Sequence, residues 1–237
     1  MTGSTRIPRI IHQTWKTHAI PSRFHGPAES WRRRHPEWEY RLWTDDDLDA
    51  FVREEYPRLY GLYRSYPRHI MRVDAARYMI LHRMGGLYAD LDVECLRSFD
   101  AFAGHAVALP VTTPFGYSND LMMAVPGHPF FARLLDRLEG AASRWARSWC
   151  PPYLQVMQAT GSLFLTGSVR GWPDPEEIHR IAPLLYSSQD RASAYVYHHP
   201  GNTWGEWDAR AIRRAYRHRW TTAAAGAAAV VWAGLTG

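Results

Sequence analysis

Short apolar runs along the chain alternate with longer segments of helical periodicity. Six runs are short enough, or alternate regularly enough, to predict β-strands: residues 9–15, 39–43, 87–93, 107–110, 119–125 and 194–198. Residues 70–84 predict the clearest helix, because apolar side chains recur there at spacings of three and four until the Gly85-Gly86 pair. Residues 130–145 predict a second long helix with four side chains facing inward, namely Phe131, Leu134, Leu135 and Leu138.

Shorter signals add two further helical segments. Thr44 predicts an N-cap, followed by Asp46 and Asp47 in the first turn of a helix that runs through Val52. We interpret this acidic run as a helix start rather than a metal site. Residues 30–34 predict a helical turn. Strands that alternate with helices predict an α/β fold, with a mainly parallel central sheet flanked by helices.

The composition is that of an ordinary globular protein. The 237 residues suffice for one α/β domain but are few for two, so we predict a domain over residues 1–220 and an Ala-rich tail over residues 221–237. Global disorder is excluded by the 46% of hydrophobic and 22% of charged residues. Cys95 and Cys150 are too few for a disulfide framework, and they favour buried thiols in a reducing, cytoplasmic compartment.

The charge and the tail bear on partners. A net charge of +5 attracts phosphates, nucleic acid or anionic lipid without choosing between them. The N-terminus lacks the apolar stretch of a signal peptide, and no run of strongly apolar residues is long enough to predict a membrane span. The uncharged tail follows a basic stretch at residues 210–219, which leaves peripheral membrane contact open. An Ala-rich terminal helix explains the tail more simply.

The residues that carry chemistry are concentrated between residues 74 and 92. Asp74 and Arg77 are three apart on the predicted helix, so they share a face. Asp90 and Asp92 are two apart on the predicted strand 87–93, so we expect both carboxylates to point to one side. Paired carboxylates repel each other unless a cation neutralises them. Mg²⁺ and Mn²⁺ do this and share their ligand shell with substrate phosphates, so a metal-assisted phosphate site is predicted at this strand end.

Three segments together carry a family resemblance. They read IPRIIHQTWK at residues 7–16, WRRRHPEWEYRLW at residues 31–43 and DAARYMILHRMGGLYADLDV at residues 74–93. This combination resembles glycosyltransferase family 32, which has a DxD sugar-binding motif. The family includes yeast initiating α-1,6-mannosyltransferases and inositolphosphorylceramide mannosyltransferases, and it is distantly similar to the catalytic domains of clostridial glucosylating toxins. The resemblance is clear over residues 7–100 and looser over residues 119–131, 159–167 and 198–204.

The resemblance implies a GT-A-like single domain and a retaining transfer of a hexose. The donor would be a nucleotide-diphosphate sugar, either GDP-mannose or a UDP-hexose, and the acceptor a hydroxyl group of a glycan, a lipid or a protein. It implies Mn²⁺ or Mg²⁺ as cofactor, ligated directly by Asp92. Asp90 would contact ribose or sugar hydroxyls and reach the metal through water. Asp74 and Arg77 would hold the donor sugar, with Arg77 near the phosphates.

The resemblance also implies contacts for residues further along the chain. Trp15 would stack on the nucleotide base, Tyr88 would line the same pocket, and Asn119, His199 and Trp204 would close over the diphosphate. His198 adjoins His199, and a strand turns adjacent side chains to opposite faces, so the sequence leaves open which of them faces the site.

Two further points concern the acceptor and the mechanism. The segment Thr160-Gly161-Ser162 departs from the family's usual Thr-Gly-Pro, in a loop that borders the acceptor there. The sequence singles out no carboxylate as a nucleophile. We therefore favour same-face attack by the acceptor, with a donor phosphate oxygen as the base.

Two other functions compete with this interpretation. A phosphotransferase or nucleotidyltransferase would also use paired carboxylates, but the sequence contains no G-x-x-x-x-G-K-[ST] loop. A basic nucleic-acid- or membrane-surface-binding module without catalysis would explain the charge and the tail. It would leave the paired carboxylates unexplained, so we predict an enzyme without a nucleic-acid partner.

Overall fold

A computed structural model describes residues 6–112, 116–186 and 191–199. Its centre is a six-stranded sheet in the order β2-β1-β3-β6-β5-β7, and β4 and β8 form a separate two-stranded sheet. The strands are β1 (Ile10–Thr14), β2 (Glu39–Trp43), β3 (Gly86–Ala89), β4 (Val93–Cys95), β5 (Val107–Pro110), β6 (Leu121–Ala124), β7 (Ile178–Ile181) and β8 (Val196–His198). The predicted domain boundary at residue 220, the tail and Trp204 lie outside the described residues.

The central sheet is mainly parallel. Strand β1 pairs parallel with β2 and β3, and β5 pairs parallel with β7. Strand β6 is inserted between β3 and β5 and runs antiparallel to both. The amino end of β6 therefore lies at the edge where the other five strands have their carboxyl ends. This arrangement confirms the predicted α/β fold with a mainly parallel sheet.

Helices account for most of the remaining described chain. They are α1 (His25–Arg34), α2 (Asp45–Glu55), α3 (Pro57–Ser65), α4 (His69–Met84), α5 (Pro129–Trp145), α6 (Pro152–Ala159), α7 (Ser162–Arg170) and the short α8 (Pro183–Tyr186). The predicted helices at residues 70–84 and 130–145 are confirmed as α4 and α5. The predicted turn at residues 30–34 is the end of a longer helix, and α3, α6 and β7 were not predicted.

Two apolar layers cover the two faces of the sheet. On one face Tyr88 and Met122 pack against α4, α5 and α7, and the four side chains of α5 predicted to face inward are buried there. On the other face Leu87 and Met123 pack with Trp31 of α1. Strand β3 thus supplies alternate residues to the two layers, as the period of a strand requires. The sheet is fixed from both sides, which gives its carboxyl edge a rigid base.

Helix α2 begins as its sequence predicts. The Thr44 hydroxyl accepts a hydrogen bond from the backbone N–H of Asp47, and the Asp47 carboxylate accepts one from the backbone N–H of Thr44. This reciprocal capping satisfies two N–H groups that the helix itself leaves without partners. The acidic run is therefore the start of a helix.

Two glycines join α4 directly to β3. Gly85 and Gly86 have φ values of 67° and 95°, in the left-handed region that favours glycine. A Cβ atom on Gly86 would lie 2.6 Å from the carbonyl oxygen of Ile10 on the neighbouring strand. The chain can therefore leave the helix and enter the sheet beside β1 without an intervening loop.

The predicted strand 87–93 is wrong in its second half. Pairing of β3 with β6 ends at Ala89 opposite Leu121, and the backbone N–H of Val93 then bonds to the carbonyl of Asp90. Residues 90–92 therefore form a turn, and strand alternation does not set the directions of Asp90 and Asp92. Leu91 is buried, and it packs in a small separate cluster with Phe24.

His12 lies buried in β1 and uses both ring nitrogens. Trp43 donates its indole N–H to Nδ1, 3.2 Å away, and Nε2 lies 3.0 Å from the carbonyl oxygen of Gly85. The neutral ring with its proton on Nε2 satisfies both contacts. Burial, together with the charge of Arg41, lowers the pKa of His12 from its ordinary 6.5 to about 4, against the bond to Gly85.

We expect His12 to make the protein less stable in acid. The unfolded chain takes up a proton on this ring below pH 6.5, whereas the folded chain resists protonation until about pH 4. The stability contributed by the neutral ring is therefore present above pH 6.5 and is lost as the pH falls to 4, by about 3 kcal/mol in total. Urea unfolding of the wild type and His12→Asn from pH 7.5 to pH 4 measures it. Parallel pH profiles for the two proteins would contradict the assignment.

Cys95 and Cys150 are both buried thiols, as predicted. No helix within the described residues combines the length and apolar composition needed to cross a bilayer.

Candidate functional site

A buried arginine organises the carboxyl edge of the sheet. Arg77 is 2% exposed, and its Nη2 lies 3.2 Å from Oδ1 of both Asp74 and Asp90. Its Nη1 donates to the carbonyl oxygen of Asn119 over 2.8 Å, and its guanidinium lies over the ring of Tyr88. One cation thus joins α4, the turn after β3 and the entrance to β6.

Asp74 is held by two groups besides Arg77. Asn119 donates its side-chain amide to Oδ1 over 2.9 Å, and Thr160 donates its hydroxyl to Oδ2 over 3.0 Å. Burial raises the pKa of Asp74, whereas the Arg77 charge and the bonds from Thr160 and Asn119 oppose that rise. Ser162 donates to Oδ1 of Asn119, which a proline at this position could not do. The departure from Thr-Gly-Pro therefore adds a bond to this network.

Hydroxyl and amide groups of the protein interior hold Asp90 in place. Tyr88 is fully buried, and its hydroxyl donates to Oδ1 of Asp90 over 2.7 Å while lying 2.9 Å from the hydroxyl of Thr14. The Gln13 amide donates to the carbonyl oxygen of Asp90 over 3.2 Å. Tyr88 was predicted to line the substrate pocket, but here it lies beneath Asp90 and positions its carboxylate. Arg77 likewise lies under Asp90 instead of at the open surface.

A third carboxylate, which the sequence analysis missed, stands beside the pair. Asp120 precedes β6, and its carbonyl oxygen accepts a 2.8 Å bond from the backbone N–H of Asp90. The Tyr186 hydroxyl donates to its carboxylate over 2.6 Å. Asp120 follows the predicted site residue Asn119 at the start of a predicted strand, and this position was the one available signal for it.

His198, the last residue of β8, and His199, which follows it, turn to different partners. His198 lies with Nε2 3.3 Å from Oδ2 of Asp92 and Nδ1 3.3 Å from Oδ2 of Asp120. His199 instead lies 2.9 Å from the Glu94 carboxylate, which also pairs with Arg191. The prediction named His199, and the structure places His198 against the carboxylates. The reason is the ladder between β4 and β8, which sets His198 opposite Val93.

Charge is crowded at this edge. Burial raises the pKa of Asp90 to about 7, with contributions from Asp92 and Asp120 and opposition from Arg77. Burial alone would lower the pKa of His198, but its bond to Asp92 and the charges of Asp120, Asp92 and Asp90 raise it to about 9. Asp90 still has 31% of its side chain exposed, so its carboxylate is accessible to a ligand.

The donor set has the chemistry of a divalent-cation site. The carboxylates of Asp90, Asp92 and Asp120 lie close together here, and the His198 ring lies between those of Asp92 and Asp120. Within residues 6–112, 116–186 and 191–199, no three His, Cys, Asp or Glu side chains stand in the arrangement of a complete metal site. The carboxylate oxygens of Asp90 and Asp92 suit Mg²⁺ or Mn²⁺, which commonly take part of their shell from substrate and water.

Trp15 lies at the same edge of the sheet. It follows β1, and its backbone N–H bonds to the carbonyl oxygen of Trp43 at the end of β2. The half-buried indole packs edge-on against Phe24, with ring centroids 5.3 Å apart. The structure therefore brings together Asp74, Arg77, Tyr88, Asp90, Asp92 and Asn119 of the predicted site, and it places Trp15 at the same edge of the sheet.

Comparison with known proteins supports the predicted resemblance. Residues 21–108 match the family described as a glycosyltransferase sugar-binding region containing a DXD motif. Inositol phosphoceramide mannosyltransferase 3 of Schizosaccharomyces pombe is 40% identical over 212 residues, which cover 87% of this chain and 58% of that protein. The initiation-specific α-1,6-mannosyltransferase of Saccharomyces cerevisiae is 31% identical over 104 residues, which cover 40% of this chain and 22% of that protein. The chain spans less than two thirds of the length of these relatives.

A solved structure shows the same fold. The UDP-bound glycosyltransferase domain of the YGT toxin superposes with a TM-score of 0.56 at 9% identity, covering 83% of this chain and 84% of that domain. At this identity the likeness concerns the fold alone. It confirms the predicted GT-A-like architecture.

Proposed function

We propose that the chain transfers a hexose from a nucleotide-diphosphate sugar to a hydroxyl group of an acceptor, because residues 21–108 match the family described as a glycosyltransferase sugar-binding region containing a DXD motif. The observation that carries this proposal is the buried Arg77 network. It joins Asp74, Asp90 and Asn119, and it leaves the Asp90 carboxylate accessible next to Asp92. A charged network that is costly to bury is expected where it positions groups for a ligand.

The carboxylates would hold a divalent cation, Mn²⁺ or Mg²⁺. Asp92 would ligate it directly, and Asp90 would contact donor hydroxyls and reach the cation through water. When bound, such an ion stabilises the negative charge that develops on the departing nucleoside diphosphate. Arg77, Tyr88 and Gln13 keep Asp90 in place while the donor binds, since all three touch it from within the protein.

The residues around this centre would each contact a different part of the donor. Trp15 would stack on the nucleotide base, since its indole stands at the same edge and packs with only part of its surface against Phe24. Asp74 and Asn119 would define the floor under the donor sugar. His198, which contacts Asp92 and Asp120, would replace His199 on the diphosphate side.

The relatives support a choice of sugar and acceptor. Their names describe mannosyltransferases, one of them acting on inositol phosphoceramide. We therefore favour mannose from GDP-mannose over a UDP-hexose, and a lipid acceptor over a glycan or a protein. A lipid acceptor would bring the protein to a membrane surface, in keeping with its net charge of +5.

The stereochemical course would be retention by same-face attack. The three carboxylates at the site already have partners: Asp90 is bound by Arg77 and Tyr88, and Asp120 by Tyr186 and His198, which also contacts Asp92. None of them is left as an uncommitted nucleophile. A donor phosphate oxygen would then accept the proton of the acceptor hydroxyl. The glycosidic bond would form as the bond between the sugar and the diphosphate breaks.

Donor binding tests the proposed function. GDP-mannose or a UDP-hexose is expected to stabilise the folded protein in the presence of Mn²⁺, by about 2.7 kcal/mol at a hundredfold excess over Kd. Thermal unfolding with each donor, with and without Mn²⁺, measures this gain. Mn²⁺ alone and mannose alone are the controls. If well-folded protein gains nothing from any donor with Mn²⁺, the transferase proposal fails.

A further inference from the structure

A second polar cavity lies apart from the carboxylate site. It has a volume of about 470 Å³ and is enclosed by α2, α3 and the first turn of α4. Its charged wall consists of Asp45, Asp49, Arg53, Arg64, His69 and Arg72. We call it the arginine pocket. None of these residues takes part in the network around Arg77.

One cation in the arginine pocket, Arg72, forms no ion pair with a described residue. Arg64 lies 2.8 Å from Oδ1 of Asp49, which also has Arg53 at 3.9 Å from its Oδ2. His69 lies 2.9 Å from Oδ2 of Asp45. The side chain of Arg72 forms no ion pair with any described residue, and its Nε is buried without a hydrogen-bond partner. A buried N–H group without a partner is costly, and the half-buried guanidinium of Arg72 has no carboxylate to neutralise its charge.

The surroundings of Arg72 favour an anion. Helix α4 has 16 residues and begins at His69 in the pocket wall, and its N-cap residue supplies no side-chain cap. Its first N–H groups and the positive end of its dipole therefore add to the attraction of Arg72 for negative charge. The planar fork of a guanidinium matches the oxygens of a phosphate group in particular.

The rim of the arginine pocket favours hydroxyl groups beside that anion. Asp46 lines the cavity as well, is exposed, and has no ion-pair partner among the described residues. Its carboxylate would repel a phosphate but accept bonds from hydroxyls. Tyr63, 5% exposed, presents part of its ring to the same cavity. The pocket thus suits a phosphate group joined to a hydroxylated carbon skeleton.

The wall of the pocket that α2 supplies begins at the same edge of the sheet as the carboxylates. Thr44 follows β2 there and caps α2, and the backbone N–H of Asp45 bonds to the carbonyl oxygen of Lys16, next to Trp15. Arg72 and Asp74 both lie in the first two turns of α4, on different faces. A ligand in the pocket would therefore flank the donor site. We propose that the arginine pocket holds a phosphate group of the acceptor, bound by Arg72.

This inference rests on the proposed transfer function, so the test measures the two separately. Calorimetric titrations without divalent metal use myo-inositol 1-phosphate and inorganic phosphate as probes, with myo-inositol as the uncharged control. The wild type is expected to bind the two phosphates and not myo-inositol. Arg72→Gln is expected to weaken phosphate binding at least tenfold. Arg58→Gln, an exposed arginine on α3 outside the pocket, is the matched control and should bind as the wild type does.

Binding of GDP with Mn²⁺ on the same preparations separates the outcomes. Unchanged GDP binding in Arg72→Gln, with weaker phosphate binding, supports the acceptor subsite. Equal phosphate binding in Arg72→Gln and wild type, with GDP binding intact, overturns it. If the wild type binds neither GDP nor UDP in the presence of Mn²⁺, the proposed function is overturned, and with it the assignment of the pocket to an acceptor. If Arg72→Gln does not fold, Arg72→Lys, which keeps the charge but loses the fork, should weaken binding less.

Vesicles distinguish the two sources of such a phosphate. Phosphatidylcholine vesicles with and without phosphatidylinositol are sedimented with wild type and Arg72→Gln. Binding that needs both phosphatidylinositol and Arg72 identifies a lipid headgroup. Binding of the soluble ester without vesicle binding identifies a soluble phosphorylated acceptor.

Discussion

Asp92→Asn is expected to lower kcat/KM for hexose transfer on the order of 10²- to 10³-fold, because it removes a charge that acts in the transition state. The substitution keeps the size of the side chain and its place in the turn after β3. Asp92 is 21% exposed and pairs with a half-exposed His198, so the free energy of unfolding should change little. Transfer assays with the donor identified by binding, together with urea unfolding, measure both quantities.

The control for Asp92→Asn is Asp136→Asn, which makes the same change on an exposed face of α5. It should leave both transfer and stability at wild-type values. Full transfer activity in Asp92→Asn would show that the carboxylate is dispensable and would remove the basis for placing a cation there. A large loss in Asp136→Asn would mean that the assay responds to net charge.

Arg77→Met is expected to destabilise the folded protein by about 3–5 kcal/mol, since removing one partner leaves buried charges uncompensated. Asp74 would keep its neutral donors Asn119 and Thr160 but lose its cation, and Asp90 would lose its link to α4. Methionine fills similar space without the charge. Guanidinium unfolding, monitored by circular dichroism, measures the loss.

Arg83→Met provides the comparison on the same helix. Arg83 pairs with Glu55, but both side chains are exposed to solvent, so the loss of stability should be much smaller than in Arg77→Met. The double variant Asp74→Asn/Arg77→Met should recover part of the loss, because it neutralises the orphaned carboxylate. Equal effects of Arg77→Met and Arg83→Met would mean that the buried network contributes no more than a surface pair.

The sequence predicted those elements in which local pattern and tertiary environment agree. Strand β2 has the predicted bounds, and α4 differs from its prediction by one residue, because apolar periodicity and the following glycines point the same way. Helix α3 was not predicted. It starts at Pro57 but contains Gly61, and Tyr63 is its one buried residue, so its pattern lacks a clear apolar stripe.

The sequence predicted which residues form the site better than it predicted how their side chains are oriented. Asp74, Arg77, Asp90 and Asp92 come together as their motif implied. The directions of the Asp90 and Asp92 side chains depend on where β3 stops pairing with β6. The alternation of apolar and polar residues within 87–93 does not indicate that point. Asp120 and His198 reach the site through pairings with residues far away in sequence, and such pairings follow from the whole sheet.

The reversed direction of β6 has a consequence for which insertions the protein can tolerate. Strands β1 and β3 are followed directly by the site residues Trp15 and Asp90, whereas β6 is preceded by Asn119 and Asp120. Loop length after β6, around Gly127, can vary without disturbing the donor site, since that turn lies at the far end of the sheet. One residue gained between β5 and β6 that shifted the pairing of Ala89 with Leu121 would exchange the faces of every side chain in β6. In related sequences we therefore expect insertions and deletions in the loop after β6 and few of them between β5 and β6.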